Sequence, residues 1–104
     1  MSDELQVREA LDEVVDPELD LSIIELGLVY DIRFQQTDDG SHCEIDITLT
    51  SPGCPAAPEI MAATHRAALT CDCVDSVHVN LVWNPRWDPK VHASEDARMD
   101  MGIW

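Results

Sequence analysis

The sequence predicts an α+β fold, a two-layer α-β-β-α-β-α sandwich whose helices cover one face of a small mixed sheet. Apolar side chains recur at helical spacing in two segments and alternate with polar side chains in three others. A chain of 104 residues with 45% hydrophobic content is long enough to bury one core. We therefore expect one domain over residues 1–104.

The first helix is predicted over residues 3–15, where acidic residues lie opposite the apolar stripe. Asp16-Pro17-Glu18 ends it, because the residue before a proline avoids the helical conformation. Residues 16–27 then form an ordered loop with one helical turn at about residues 22–26, closed by Gly27.

Two strands follow, over residues 28–34 and 42–49, joined into an antiparallel hairpin by Asp38-Asp39-Gly40. The second helix is predicted over residues 56–70, and a third strand over residues 77–81 returns parallel to the second. After an irregular stretch over residues 84–89, Ser94 caps a short last helix that ends at Gly102.

This order of elements brings three connecting segments to one edge of the sheet. Strand two ends there at Thr50, the loop over residues 16–27 leads into strand one there, and strand three leaves there through residues 83–87. Cys54 is the only cysteine in these segments.

Cys54 stands in Thr50-Ser51-Pro52-Gly53-Cys54-Pro55, between a strand and the start of a helix. A helix N-terminus favours an anion, so the pKa of a thiol there falls and its thiolate can bind metal. Gly53 allows a tight turn. The alternative is a Pro/Gly loop with an incidental buried cysteine.

Six further residues are candidates for supporting this site or lying beside it. Asp16 and Glu18 are hard ligands, acid/base groups or acceptors of backbone hydrogen bonds, and Thr48 and Thr50 can bond the sulfur or the loop. Trp83 and Trp87 wall this edge or form a partner-binding aromatic patch. The simpler alternatives are a helix stop for Asp-Pro-Glu and strand propensity for the threonines.

A cysteine hydrolase would need a histidine beside Cys54, and only His92 can approach it. Cys71 and Cys73 follow the far end of the second helix, without a second pair to complete a zinc site. Cys43 and Cys71 are expected in the core. One thiolate at this edge of the sheet suits a transient metal–sulfur ligand completed by a second subunit or another protein.

The formal charge of −15 disfavours nucleic-acid binding, which requires a basic surface. Its two interpretations are recruitment of a basic partner and adaptation to a salty cytoplasm; we favour the second because the acids form no block. The acidic N-terminus and the absence of a long apolar run predict a cytoplasmic protein without a membrane span.

Four motifs in order resemble a small iron–sulfur assembly family that includes SufT-type proteins, PaaD and a domain fused to Mrp-type cluster carriers. They are Asp16-Pro17-Glu18-Leu19, Leu26-Gly27-Leu28-Val29-Tyr30, Leu49-Thr50-Ser51-Pro52-Gly53-Cys54-Pro55 and Val82-Trp83-Asn84-Pro85-Arg86-Trp87. The resemblance implies that Cys54 is the key cysteine and that Asp16, Glu18, Thr50 and Gly53 support it.

The resemblance further implies an accessory factor in iron–sulfur cluster assembly that holds a cluster or iron transiently and acts without enzymatic turnover. Its partners would be assembly proteins and client apoproteins, and it would act as a homodimer or in transient complexes. The chain lacks the cysteine-rich tail of PaaD-like proteins, which argues against ring-epoxidase maturation. The alternatives are a scaffold that binds no metal and a small thiol-dependent enzyme.

Overall fold

The computed structural model describes residues 3–50 and 55–102. Its elements, in chain order, are α1 (Asp3–Leu11), β1 (Val15–Asp16), β2 (Leu21–Ser22), β3 (Val29–Thr37), β4 (Gly40–Ile47), α2 (Ala57–Leu69), β5 (Ser76–Leu81), α3 (Pro89–His92) and α4 (Glu95–Met101). The predicted α+β class and the order of its six main elements are confirmed.

The main sheet is mixed and has the strand order β3-β4-β5. β3 pairs with β4 in antiparallel fashion across the turn at residues 38–39, and β4 pairs with β5 in parallel. The predicted hairpin and the parallel return of the third strand are therefore confirmed. The alternation of apolar and polar residues along each strand gives the sheet one core face and one polar face.

The core lies between this sheet and the helices α1 and α2. Its fully buried side chains come from both layers and from the loop between β2 and β3; the largest aliphatic ones are Val7, Leu11, Ile23, Leu26, Leu28, Ile45, Ile47 and Ile60. On the opposite face of the sheet, Arg33 holds Asp46 through two hydrogen bonds of 2.7 and 3.0 Å.

Two predictions about the N-terminal third are wrong in detail. The first helix ends at Leu11 instead of residue 15, because the backbone turns there and the Val14 amide bonds the Leu11 carbonyl at 2.9 Å. Residues 16–27 are not all loop, since β1 pairs with β2 in a two-residue antiparallel ladder. The predicted turn near residues 22–26 is present, with the Leu26 amide bonding the Ser22 carbonyl.

The C-terminal segment also differs from the prediction at one point. Pro89, the last residue of the stretch expected to be irregular, begins a four-residue helix, α3, which the Asp88 side chain caps. The last helix is as predicted: Ser94 caps α4, and Gly102 ends it in the left-handed conformation.

Gly27 fixes how the C-terminal segment packs on the loop before β3. Its φ is +73°, and a Cβ atom added there would lie 1.9 Å from the His92 carbonyl oxygen. Gly102 has a similar φ of +78°, but nothing lies within 4 Å of its Cβ position. The first glycine therefore permits a close approach between two segments, and the second only ends a helix.

Candidate functional site

The start of β3 lies beside the ends of β4 and β5, and we call this end of the main sheet the rim. Val29 at the start of β3 is the partner of Ile47 at the end of β4, which in turn is the partner of Leu81 at the end of β5. Just beyond the ladder, the Thr48 amide bonds the Leu28 carbonyl at 2.8 Å. The predicted rim is therefore confirmed for the described residues.

The segment after β5 crosses the rim towards β3. The Tyr30 hydroxyl donates to the Pro85 carbonyl at 2.9 Å, and the Trp87 indole N–H donates to the Leu26 carbonyl at 2.7 Å. These bonds hold residues 83–87 next to the loop over residues 16–27, as the order of elements predicts. The peptide bond between Asn84 and Pro85 is cis.

Asp16 is a fully buried carboxylate in β1. Its Oδ1 accepts a hydrogen bond of 2.8 Å from the Glu18 amide, and its carbonyl accepts one of 2.7 Å from the Asp20 amide. These bonds shape the turn that places the exposed Glu18. The other carboxylate oxygen, Oδ2, has no hydrogen-bond partner among the described residues.

Thr48 and Thr50 follow β4 directly. Thr48 is fully buried, and its hydroxyl forms no hydrogen bond of regular geometry with any residue in 3–50 or 55–102. Thr50 is half-buried. A buried polar atom without a partner costs about 1–3 kcal/mol, so such atoms are retained where something else requires them.

Tyr30 lies at the rim but was not among the site residues predicted from the sequence. The register between β3 and β4 shifts between Val29 and Asp31, so Tyr30 occupies a β-bulge. Its ring packs against that of His92, with centroids 5.2 Å apart. Burial raises the pKa of Tyr30, and the nearby Thr48 side chain opposes that shift. The available signal was the position of this lone tyrosine at the start of a strand.

Cys54 and Gly53 lie outside the described residues, so their predicted roles stay predictions. The chain reaches them from Thr50 at the rim and leaves them through Pro55, which is exposed, and Ala56, which is buried. The helix α2 then begins at Ala57 with Pro58 in its first turn.

The two tryptophans differ in exposure. The Trp83 side chain is 44% exposed, whereas Trp87 is half-buried against the core and hydrogen-bonded. Trp87 thus anchors the crossing segment, and Trp83 presents an aromatic surface beside the rim.

The other three cysteines lie away from the rim. Cys43 is fully buried, and burial, reinforced by Cys73 and Cys71, raises its pKa to about 11. The Cys71 thiol lies 3.6 Å from the Gln6 carbonyl oxygen, and burial raises its pKa too. The prediction that Cys43 and Cys71 belong to the core is confirmed.

The four histidines have local partners or face solvent. Nδ1 of His92 accepts from the Asp88 amide at 2.9 Å, and His42 lies at the hairpin end against Ser76. Within the described ranges, no group of three or more His, Cys, Asp or Glu side chains is arranged to hold a metal ion. No helix there is long and apolar enough to cross a membrane.

The sequence profile of the iron–sulfur cluster assembly protein family matches residues 4–81. The chain is 42% identical over 94 residues to the Fe-S protein maturation auxiliary factor YitW of Bacillus subtilis, covering 90% of this chain and 88% of that protein. It is 38% identical over 90 residues to the Fe-S protein maturation auxiliary factor SufT of Staphylococcus aureus, covering 86% and 98%.

A solved structure shares the fold. It is the crystal structure of a domain of unknown function from Bacillus anthracis, which superposes with a TM-score of 0.83 at 34% sequence identity. The superposition covers 98% of this chain and 93% of the other.

Proposed function

Because the chain belongs to the iron–sulfur cluster assembly protein family, we propose that it is an accessory factor in iron–sulfur protein maturation and that Cys54 is its cluster ligand. The relatives named as maturation auxiliary factors support the role. The assignment to Cys54 is carried by one observation: the rim collects the strand ends and the crossing segment at the point where the chain enters residues 51–54.

The buried polar atoms at the rim favour a site there. In the described part of the chain, Asp16 Oδ2 has no hydrogen-bond partner, and the Thr48 hydroxyl has none of regular geometry. We propose that Asp16 Oδ2 accepts, and that the Thr48 hydroxyl accepts or donates, hydrogen bonds with residues 51–54 or with their cargo. We propose that Glu18 and Thr50 flank this position and that Gly53, a residue type that permits a tight turn, supports it.

The proposed mechanism is exchange of thiolate ligands. The Cys54 thiol loses its proton to solvent, and its thiolate forms one iron–sulfur bond to the incoming cluster as a thiolate of the donor protein leaves the same iron and takes up a proton from solvent. A thiolate of the client then bonds the same iron as the Cys54 sulfur leaves, so the cluster changes hosts without a change of oxidation state. Release follows when the client offers more thiolates than this chain.

The proposal also includes how long the chain holds its cargo, where it acts and what completes the iron coordination. The chain holds the cluster or iron transiently, has no turnover of its own, and acts in the cytoplasm as one domain. A second copy, an assembly protein or a client apoprotein supplies the remaining ligands, since one cysteine cannot complete four-coordinate iron.

Anaerobic reconstitution with iron and sulfide tests the assignment. The wild type should gain visible absorption and bound iron, and Cys54→Ala should gain neither. The matched control is Cys71→Ala/Cys73→Ala, which removes the two thiols that approach α1 and should still load. A cluster that persists in Cys54→Ala and disappears in the control variant would refute the assignment.

The exposed Trp83 favours one alternative, a scaffold that binds assembly proteins or clients without holding metal. In that case neither the wild type nor Cys54→Ala would load a cluster, while Trp83→Ala would weaken binding of a client apoprotein. Client binding that is unchanged in Trp83→Ala would exclude this alternative.

A further inference from the structure

A groove runs between β1 and the helix α2. Val15 and Pro17 form one wall, and Pro58, Ala62 and Ala63 form the other, enclosing about 520 Å³. Val15 is 45% exposed although it is a β-branched aliphatic residue. The small alanines leave room for a ligand to approach the helix backbone, so the walls suit an apolar side chain.

The two charged residues of the groove stand at opposite ends. Glu59 lies in the first turn of α2, and Arg66 lies in its last turn. Seven residues at about 1.5 Å each separate them by about 10 Å along the axis, too far for a mutual ion pair. Neither has an ion-pair partner within the described ranges.

An unpaired Arg66 is informative because this chain carries 21 carboxylates and only six lysines and arginines. An acidic ligand would be repelled by most of the surface but attracted at this end of the groove. A basic group would be attracted at the Glu59 end. The groove therefore complements a ligand that is apolar in the middle and oppositely charged at its two ends.

We propose that this groove binds an extended peptide segment of a partner protein, with a basic residue at Glu59, an apolar residue between the walls and an acidic residue at Arg66. Three steps of an extended chain at about 3.1 Å span about 9 Å, which matches the distance between the two charges. This inference rests on the proposed function, in which the partner is a client or an assembly protein. The Glu59 end adjoins the start of α2 and hence the segment that bears Cys54.

The test is an NMR titration of the isotope-labelled full chain with the peptide acetyl-Lys-Leu-Pro-Glu-amide in low salt. We expect saturable shifts of the amides of α2 and β1. The matched peptide acetyl-Lys-Leu-Pro-Gln-amide should bind about two- to fivefold more weakly, the factor expected for an exposed ion pair. Acetyl-Lys-Ser-Pro-Glu-amide tests the apolar contact and should bind more weakly still.

A charge reversal distinguishes recognition from a structural role of Arg66. Arg66→Glu should prefer acetyl-Lys-Leu-Pro-Lys-amide over the Glu peptide, and Arg66→Gln should lose the preference between the Glu and Gln peptides. If Arg66→Glu does not fold, Arg66→Gln alone tests the proposal. Shifts that never saturate, that map outside the groove, or that keep the same charge preference in both variants would overturn the proposal.

Cluster loading is measured separately on the same wild-type protein without peptide. Loading that depends on Cys54, with no peptide binding, would overturn the groove proposal alone. Peptide binding at the groove, with no loading, would overturn the ligand role of Cys54 alone.

Discussion

Substituting Gly27 by alanine tests how the C-terminal segment is held against the loop before β3. The new Cβ atom would lie 1.9 Å from the His92 carbonyl oxygen, so α3 or the loop must move. The same substitution also places an L side chain at a φ of +73°. Both effects destabilise the folded state, whereas the lower entropy of the unfolded chain is common to any Gly→Ala substitution.

The two costs can be separated by a second glycine. A left-handed conformation costs a non-glycine residue about 1–2 kcal/mol, and inserting a methyl group into packed structure costs about 1–3 kcal/mol. Gly27→Ala should therefore lose about 2–5 kcal/mol of unfolding free energy. Gly102→Ala has the same backbone cost with nothing within 4 Å, and should lose only about 1–2 kcal/mol.

Urea denaturation followed by tryptophan fluorescence measures both variants. With a slope of about 1–3 kcal/mol per molar urea, the two midpoints should differ by about 1 M. Because Trp87 bonds the Leu26 carbonyl next to Gly27, its emission in the folded state should also shift in Gly27→Ala only. Equal midpoints for the two variants would refute the close packing of α3 on Gly27.

Three further predictions concern single side chains. Trp87→Phe removes the hydrogen bond to Leu26 and should lower the unfolding free energy by about 1 kcal/mol, measured by the same denaturation; an unchanged midpoint would argue against that bond. Cys43, whose pKa burial raises to about 11, should resist iodoacetamide at pH 8 until urea unfolds the chain, as mass spectrometry of the digested protein can show. Arg33 holds the pKa of Asp46 below its usual range, so the pair stabilises the fold above pH ~4 and this contribution is lost as the pH falls through the lower folded pKa. Asp46→Asn should therefore flatten the loss of stability below pH ~4 in a pH series of thermal melts, whereas an identical slope would contradict the linkage.

The main elements could be predicted because each has a periodic pattern of apolar residues or a residue that marks its end. Alternating residues identify β3 and β4, and Ser94 with Gly102 brackets α4. The ladder between β1 and β2 could not be predicted, because a strand of two residues is too short to show an alternating pattern. Its formation also shortens the first helix, because Val15 pairs with Ser22 instead of continuing the helical stripe.

The location of the rim was predictable from the sequence, but not every side chain that lies there. Connectivity alone brings Asp16, Thr48 and Trp87 to the same edge, because a hairpin and a parallel return fix where each strand ends. Tyr30 was missed because its position at the rim depends on a β-bulge. A β-bulge is a one-residue shift between strands, and no local pattern in this sequence predicts it.

The length of the β3–β4 hairpin has a practical consequence for studying this protein. Gly40, which follows the exposed turn at Asp38 and Asp39, lies seven residue steps along β4 from Ile47, or about 23 Å at ~3.3 Å per step. A dye or surface tether attached at that turn would sit at the opposite pole from the strand ends. Immobilised in this way, the molecule would present its rim outwards, available to whatever protein approaches from solution.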